Sequence, residues 1–272
     1  MSSNPIQQHY SAADTDPVAQ VRRFLDQHGG PLSSADLAGL DQFHSRGLAA
    51  TRDFISLLDI DAGMRVLDAG SGLGGPARYV AETHGCHVTG VDLTDSFVAV
   101  ATLLAERTGM GALVDYRVGD LLALDFADAS FDVVYTQHVA MNIGQRARLY
   151  SEIARVLKPG GVFGFYDVLA LEGQPAPHYP VPWSESAAGS FLLTAAETEA
   201  ALARAGLKTQ AWNDVSAESI AWFRQLQLAA PTPQAPGLAL VMGARMGQMS
   251  ANFARSLVEN RIQLVMATSV KQ

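Results

Sequence analysis

Five apolar runs mark the middle of the chain, and each has the length and the β-branched or aromatic composition of a strand; they lie at 64–68, 87–91, 114–118, 131–136 and 161–168. Apolar residues at helical spacing fill intervals between these runs, at 74–83, 95–107 and about 145–157. This alternation predicts an α/β fold whose strands pair in parallel through right-handed crossovers.

The chain on either side of these runs follows a different pattern. Three helical stretches come first: one begins at Asp16-Pro17, one near Ser33 or Ser34, and one follows Gly47. Residues 172–190 are rich in Pro, Gly and Ser and too long for an ordinary connection, which predicts a lid or binding loop. Beyond this loop we expect helices at 194–205, 216–229 and about 246–257, and strands at 208–212 and 262–267.

The turn after the first predicted strand is the strongest candidate for a ligand site. Val66-Leu67-Asp68 leads into glycines at positions 70, 72, 74 and 75. Glycines let backbone amides approach a ligand with no Cβ in the way. Dinucleotide-binding folds bring a pyrophosphate to this loop and usually end the strand with an apolar residue. The acid at Asp68 therefore favours a ligand that carries cationic or hydrogen-bond-donating groups.

This segment resembles motif I of the class I S-adenosylmethionine (SAM)-dependent methyltransferases of small molecules. Three later stretches are similar to that family in the same order: His87–Leu93, Val114–Leu121 and Arg155–Gly161. The resemblance implies a Rossmann-like seven-stranded, mostly parallel sheet with an antiparallel last strand, together with a helical cap and lid. It also implies SAM as the cofactor.

With this resemblance the chain divides into six parts. We expect an N-terminal helical cap (1–60), a SAM-binding core (61–170), a lid loop (171–193), a core helix and strand (194–212), a lid insertion (213–260) and a closing strand (261–272).

The resemblance assigns cofactor-binding roles to residues that follow the first four strands. Asp92 would hold both ribose hydroxyls, and Asp120 would hydrogen-bond the adenine amino group. The other residues predicted to contact SAM are Asp68, Gly70, Ser71 and Gly72 around the methionine half, Leu93 and Leu121 around the adenine, and Gln137 at the amino or carboxylate group. Structural roles in turns and packing remain the alternative for each of them.

Candidate acceptor-binding residues are more scattered. His138 is the candidate catalytic residue because imidazole titrates near physiological pH and can take a proton from the acceptor; a histidine satisfied by the backbone is the alternative. Arg46 can pair with a carboxylate through a bidentate fork. The remaining candidates are apolar or aromatic side chains that could face the acceptor or fold over it: Tyr10, Met141, Tyr179, Trp183 and Trp222.

The composition and net charge of the chain argue against several classes of binding partner. The formal net charge of −8 argues against nucleic acid and anionic membranes as partners. The single cysteine, Cys86, allows no disulfide framework, and no histidines are paired at metal-ligand spacing, so we expect no metal. Residues 1–10 lack a signal pattern, and the apolar stretch at 226–246 is interrupted by prolines, so we expect a cytoplasmic protein without a membrane span. A monomer and a homodimer remain equally open.

The acceptor itself is less defined than the cofactor. The segments Asp41–Phe54 and Tyr179–Trp183 look similar to glycine, sarcosine and dimethylglycine N-methyltransferases, which predicts an amine nitrogen as the acceptor. The alternatives are C- or O-methylation of a quinol, phenol or natural product, as in ubiquinone/menaquinone-type enzymes, and a SAM-binding module without catalysis. An amine predicts acids or an aromatic cage around the acceptor, whereas a quinol predicts an apolar slot and a base.

Overall fold

The computed structural model of the chain describes residues 16–27, 30, 32–228 and 245–272. Its strands are β1 (Arg65–Ala69), β2 (His87–Asp92), β3 (Val114–Val118), β4 (Phe131–Gln137), β5 (Leu157–Ala170), β6 (Leu207–Asp214) and β7 (Ile262–Lys271). Its α-helices are α1 (Pro17–Gln27), α2 (Ser34–Asp41), α3 (Gly47–Ile55), α4 (Gly75–His84), α5 (Asp95–Arg107), α6 (Arg146–Val156), α7 (Ala195–Arg204), α8 (Ser216–Leu228) and α9 (Met246–Val258).

All seven strands join one sheet in the order β3-β2-β1-β4-β5-β7-β6. The pairs β1–β2, β2–β3, β1–β4 and β4–β5 are parallel, whereas β7 runs antiparallel to both of its neighbours, β5 and β6. The predicted fold class is therefore confirmed, including the antiparallel last strand inserted into the sheet. The strand order reverses at β1, and ligands of open α/β sheets bind in the crevice at such a point.

The fifth strand begins earlier than the sequence predicts. The stretch Arg155–Gly161, which resembles the family's turn into that strand, was expected to precede it, but β5 already pairs with β4 at Leu157. The register then shifts, so that Val162 is the next residue opposite β4. Gly160, at φ +74°, takes the left-handed conformation that such an irregularity requires. The predicted turn is thus an irregularity within the strand.

The N-terminal helices pack on the side of the sheet where β1 and β2 end. Val21 and Leu25 of α1 and Leu37 of α2 are buried together with Leu73 of the glycine loop and Phe97 of α5. Helix α3 packs instead over the centre of the sheet. Between α2 and α3, residues 42–46 cross the carboxyl ends of the strands, which is where the predicted ligand residues lie.

None of the helices in the described ranges combines the length and the apolarity that a bilayer crossing requires.

Candidate functional site

A cavity of about 930 Å³ opens at the carboxyl ends of the central strands. Ten of the residues predicted from the sequence line it: Gly70, Gly72, Asp92, Leu93, Asp120, Leu121, Gln137, His138, Met141 and Trp183. The topology brings these residues together because parallel strands deliver their carboxyl ends to one edge of the sheet.

Asp92 stands at the end of β2 with both carboxylate oxygens engaged by the backbone. Oδ2 accepts the N–H of Gly72 at 2.9 Å, and Oδ1 accepts the N–H of Thr94 at 2.9 Å. Burial raises the pKa of this carboxyl, while the two amide donors oppose the rise. Each carboxylate oxygen can accept more than one hydrogen bond, so the group keeps acceptor capacity for a ligand at the cavity wall.

The first two glycines of the loop are fixed by close neighbours as well as by their backbone conformation. Gly70 has φ +89°, and a Cβ there would lie 2.4 Å from a methyl carbon of Val139. Gly72 has φ +52°, and its Cβ would lie 3.2 Å from the ring of Phe43. A side chain at either position would both strain the backbone and fill space at the cavity wall. Bare backbone is therefore what this part of the cavity presents.

Asp120 combines a turn role with exposure to the cavity. Its Oδ1 accepts the N–H of Leu122 at 2.9 Å, which closes an Asx turn after β3. The side chain is exposed, so its second oxygen is accessible to a ligand. The neighbouring Leu121 is buried and also lines the cavity.

Gln137, the last residue of β4, has a buried side-chain amide of which only the oxygen has a hydrogen-bond partner among the described residues. Its Oε1 lies 3.5 Å from the hydroxyl of Thr51 in α3, whereas its Nε2 has no hydrogen-bond partner among the described residues. A buried donor without a partner is costly, so a ligand that carries an acceptor would stabilise this site.

Two predicted cofactor residues lie beneath the loop, away from the cavity. Asp68 and Ser71 are buried but are absent from the cavity wall. Burial raises the pKa of Asp68 to about 7, although the neighbouring Tyr135 hydroxyl opposes the rise. Neither side chain is placed where it could touch a ligand directly.

His138 lies at the cavity wall in an unusual backbone conformation. Its φ is +53°, its N–H donates to the carbonyl of Tyr166 at 2.7 Å, and its ring lies 4.6 Å from the Tyr166 ring centroid. Its Nε2 has no hydrogen-bond partner in the described part of the chain. Burial holds the pKa of His138 well below its usual range, and the nearby His44 ring adds to this effect. The imidazole is therefore neutral at neutral pH.

The opposite wall comes from residues that the sequence pattern did not single out. Phe43 and Phe97 stack with ring centroids 5.5 Å apart, and both line the cavity beside the glycine loop. Phe191, in the predicted lid loop, donates its N–H to the carbonyl of Met141 at 2.9 Å. Phe43 and Phe191 lie in loops, where no periodicity indicates which way a side chain faces. Phe97 belongs to the apolar face of α5, and the sequence pattern did not distinguish its contact with the cavity from ordinary core packing.

The mouth of the cavity holds an ion pair that the sequence did not predict. Glu185 in the lid loop pairs with Arg245 at the start of α9 at 2.7 Å, and both side chains line the cavity while remaining about half exposed. The pair joins two segments that are distant in sequence.

Three predicted acceptor residues, Arg46, Tyr179 and Trp222, do not line the cavity. The guanidinium of Arg46 pairs with Asp53 of α3, so its predicted role as a carboxylate ligand is not supported by its position. Tyr179 packs against the main core, and Trp222 packs on Phe223 with ring centroids 4.9 Å apart. Tyr10 lies outside the described residues. Trp183, by contrast, lines the cavity and donates from Nε1 to the hydroxyl of Ser190 at 2.9 Å.

The family can be assigned from a comparison with known proteins. Residues 67–165 match the family model described as a methyltransferase domain. The chain contains a class I SAM-dependent methyltransferase domain. This domain holds the glycine loop, Asp92, Asp120 and His138, and its assignment confirms the family predicted from the sequence motifs.

Curated methyltransferases match part of the chain. Sterol 24-C-methyltransferase ERG6B of Gibberella zeae is 42% identical over 115 residues, which are 42% of this chain and 30% of that protein. Phosphoethanolamine N-methyltransferase 1 of Triticum aestivum is 32% identical over 162 residues, which are 58% of this chain and 32% of that protein. The chain thus spans about a third of the length of these relatives.

The chain resembles solved structures over nearly its whole length. Geranyl diphosphate C-methyltransferase from Streptomyces coelicolor A3(2), solved with S-adenosyl-L-homocysteine (SAH), has a TM-score of 0.73 at 18% identity and covers 99% of both chains. The [4+2]-cyclase SpnF has a TM-score of 0.69 at 26% identity and covers 98% of this chain and 97% of its own.

The methyltransferase domain of this chain has groups that fit SAM, the cofactor of its family. Asp92 offers a carboxylate suited to two ribose hydroxyls, and Asp120 offers an acceptor for the adenine amino group. Gln137 offers an unpaired donor suited to the methionine carboxylate. The backbone at Gly70 and Gly72 leaves room where a Cβ would intrude. The predicted cofactor, SAM, is confirmed by the family.

Proposed function

We propose that the chain transfers the methyl group of SAM to a carbon or oxygen atom of a largely apolar small molecule. The observation that carries this proposal is the composition of the cavity wall beyond His138. Its apolar side chains are Met141, Ile143, Pro182, Trp183, Ala188, Phe191 and Met246, and its uncharged polar side chains are Asn142, Gln145, Ser184 and Ser186. Apolar walls with a few polar groups are typical of sites for apolar ligands.

The charged groups of the cavity give less support to an amine or amino-acid acceptor. Asp92 and Asp120 lie at the end assigned to SAM. At the other end, the charged side chains among the described lining residues are Glu185 and Arg245, which neutralise each other at the mouth. An amino acid such as sarcosine would need a cation for its carboxylate, and Arg46 is paired with Asp53 away from the cavity. Of the two acceptor classes that the sequence left open, the geometry favours the apolar one.

SAM, when bound, supplies a methyl group that is already activated for displacement by the positive charge on its sulfur. The chain's own task is then to align the acceptor and exclude water, and proximity alone can supply about 7–11 kcal/mol. His138 is placed to receive the acceptor's proton because it lines the cavity and its Nε2 has no hydrogen-bond partner among the described residues. Trp183 and Phe191 help to close the cavity from the lid side.

The relatives are compatible with both acceptor chemistries, and the apolar part of the cavity wall supports the apolar acceptor. The similarity to a sterol 24-C-methyltransferase fits an apolar acceptor methylated at carbon. The similarity to a phosphoethanolamine N-methyltransferase fits an amine. The chain is also similar to the [4+2]-cyclase SpnF over nearly its full length, at 26% identity. This similarity favours a second candidate function, the cyclisation of an apolar substrate without methyl transfer.

The test is SAH release by the purified chain with SAM and a panel of acceptors. The panel contains 1-naphthol and 1,4-dihydroxynaphthalene as apolar ring acceptors, a linear isoprenoid alcohol, sarcosine and dimethylglycine. We expect turnover with at least one apolar acceptor and none with the amino acids, and mass spectrometry of the product identifies the methylated atom. Turnover with sarcosine and not with the apolar acceptors would overturn the proposal. Conversion of an apolar compound without SAH release would favour the second candidate.

A further inference from the structure

Arg78 of α4 is a fully buried arginine whose bonds reach four separate parts of the fold. Its Nη2 donates to Oδ2 of Asp41 at 2.6 Å and to the carbonyl of Leu73 in the glycine loop at 2.9 Å. Its Nη1 donates to the carbonyl of Ala101 in α5 at 3.2 Å and to the hydroxyl of Tyr116 in β3 at 3.3 Å. Both Arg78 and Asp41 have no solvent-exposed side-chain surface. Two polar atoms of this pair, Oδ1 of Asp41 and Nε of Arg78, have no hydrogen-bond partner among the described residues, so burial carries a desolvation cost that the other bonds oppose.

Tyr116 extends this arrangement to the next peptide of the glycine loop. Its hydroxyl donates to the carbonyl of Gly74 at 2.8 Å. Arg78 and Tyr116 therefore donate hydrogen bonds to two successive loop carbonyls, those of Leu73 and Gly74. Because both carbonyls are bonded to buried side chains, the peptides at this end of the loop have a fixed orientation.

The last two glycines of the loop make room for these buried groups. A Cβ at Gly74 would lie 2.2 Å from the Tyr116 hydroxyl, and a Cβ at Gly75 would lie 2.5 Å from Oδ1 and 2.6 Å from the backbone oxygen of Asp41. Neither Gly74 nor Gly75 lines the cavity, whereas Gly70 and Gly72 do. The glycine motif thus serves two purposes: its first half faces the cavity, and its second half makes room for the side chains of Asp41 and Tyr116.

Asp41 also connects Arg78 to the N-terminal helical cap. It ends α2, and Phe43, two residues later, lines the cavity and faces Gly72. The Asp41–Arg78 pair consequently fixes the cap segment and the glycine loop relative to each other.

We propose that Asp41, Arg78 and Tyr116 form a positioning cluster for the methionine end of SAM. The cluster holds the glycine loop and the cap in register, so that Gly70, Gly72 and Phe43 meet the cofactor together. This inference rests on the use of SAM but not on the identity of the acceptor.

The first test compares Tyr116→Phe with a matched control, Tyr150→Phe. Both hydroxyls are buried partners of an arginine, but the Tyr150 hydroxyl contacts Arg146 at 3.3 Å in a different layer of the fold. Calorimetry gives Kd for SAH and for 5′-methylthioadenosine, which lacks the amino-acid end. Tyr116→Phe removes the hydrogen bond to the Gly74 carbonyl and the one accepted from Arg78. We expect the SAH Kd to rise by about 3- to 10-fold in this variant, with a smaller rise for 5′-methylthioadenosine and no rise in Tyr150→Phe.

The second test, Gly75→Ala, removes no hydrogen-bonding group of the cluster. Gly75 is helical with no left-handed φ, so alanine would on its own favour the helix. We expect weaker SAH binding because the new Cβ displaces Asp41. If Gly75→Ala and Tyr116→Phe lower the melting temperature but leave the ratio of the two Kd values unchanged, the cluster is merely structural and the proposal is overturned. If the wild-type chain itself fails to bind SAH, the assignment of SAM falls as well.

Discussion

The carboxylate of Asp92 accepts the backbone N–H of Gly72 at 2.9 Å, which ties the end of β2 to the glycine loop that follows β1. The residue predicted to hold the ribose therefore also fixes the loop predicted to meet the methionine half. The two strands lie side by side in the sheet, so a single side chain can serve both purposes. A substitution of Asp92 can therefore weaken cofactor binding by removing the ribose contact, by releasing the glycine loop, or by both.

Asp92→Asn and Asp92→Ala should weaken SAH binding to different extents. Asparagine keeps one acceptor oxygen for the loop or for the ribose, whereas alanine removes both. Hydrogen bonds to a charged group contribute about 1.5–3 kcal/mol, so Asp92→Ala should raise the SAH Kd by at least about 10-fold. Calorimetric titration of both variants measures this. An SAH affinity equal to that of the wild type in Asp92→Ala would remove Asp92 from the cofactor site.

Asp68→Asn should change how stability depends on pH. The folded-state pKa of Asp68 is raised to about 7, against about 3.9 in an unfolded chain. The folded state therefore holds the proton more tightly, and the contribution of Asp68 to stability decreases as pH rises from about 4 to about 7. The free energy of unfolding of the wild type, relative to Asp68→Asn, should fall by up to about 1.4 kcal/mol per pH unit over this range.

Urea unfolding of both proteins at pH 5, 6, 7 and 8 measures the difference. Asp41 and Asp167 have raised pKa values of about 6 because of burial, but both are present in the two proteins and their effects largely cancel. Parallel pH profiles for the wild type and Asp68→Asn would contradict the raised pKa.

His138→Asn should lower kcat while leaving the SAH Kd within about 2-fold of the wild type. Asparagine tolerates the positive φ at this position better than most residues, so the backbone should persist. Loss of a proton acceptor typically costs about 100-fold or more in rate. Because the pKa of His138 is held well below its usual range, the wild-type rate should show no decline due to this group between pH 8 and pH 6. A kcat equal to that of the wild type in the variant would exclude His138 as the proton acceptor.

Gly74→Ala should destabilise the fold more than Gly109→Ala, although both glycines have nearly the same backbone conformation. Their φ values are +73° and +72°, so alanine should cost about 1–2 kcal/mol at each for this reason alone. Only at Gly74 would the Cβ meet the Tyr116 hydroxyl, and overpacking adds about 1–3 kcal/mol. Chemical denaturation of the two variants should show this difference; equal losses would mean that Tyr116 shifts freely.

Arg46→Gln should leave both SAH binding and acceptor KM unchanged. Its guanidinium pairs with Asp53, which is about half exposed, and such pairs contribute about 0–1 kcal/mol to stability. Steady-state kinetics with an acceptor identified in the panel measures the effect. A rise in acceptor KM without loss of stability would restore Arg46 to the acceptor site.

The sequence predicted many residues of one part of the cavity wall but few of the rest. The resemblance to the methyltransferase family singled out Gly70, Asp92, Asp120 and Gln137, and the structure brings them to one cavity because a parallel sheet delivers residues at strand ends to one edge. Phe191 and Arg245 lie in loops or at a helix start, where no regular spacing indicates which way a side chain faces.

The pattern of apolar runs and glycines by itself determined the α/β fold, the parallel direction of the first five strands and the position of the glycine loop, since these depend on local periodicity and chain connectivity. The antiparallel last strand was expected from the resemblance to the methyltransferase family. The tertiary structure alone decided how individual side chains are used. It placed Asp68 beneath the loop, paired Arg46 with Asp53, and showed that Gly75 makes room for Asp41, 34 residues earlier in the chain. Such contacts join residues far apart in sequence, and their identity follows from packing in three dimensions.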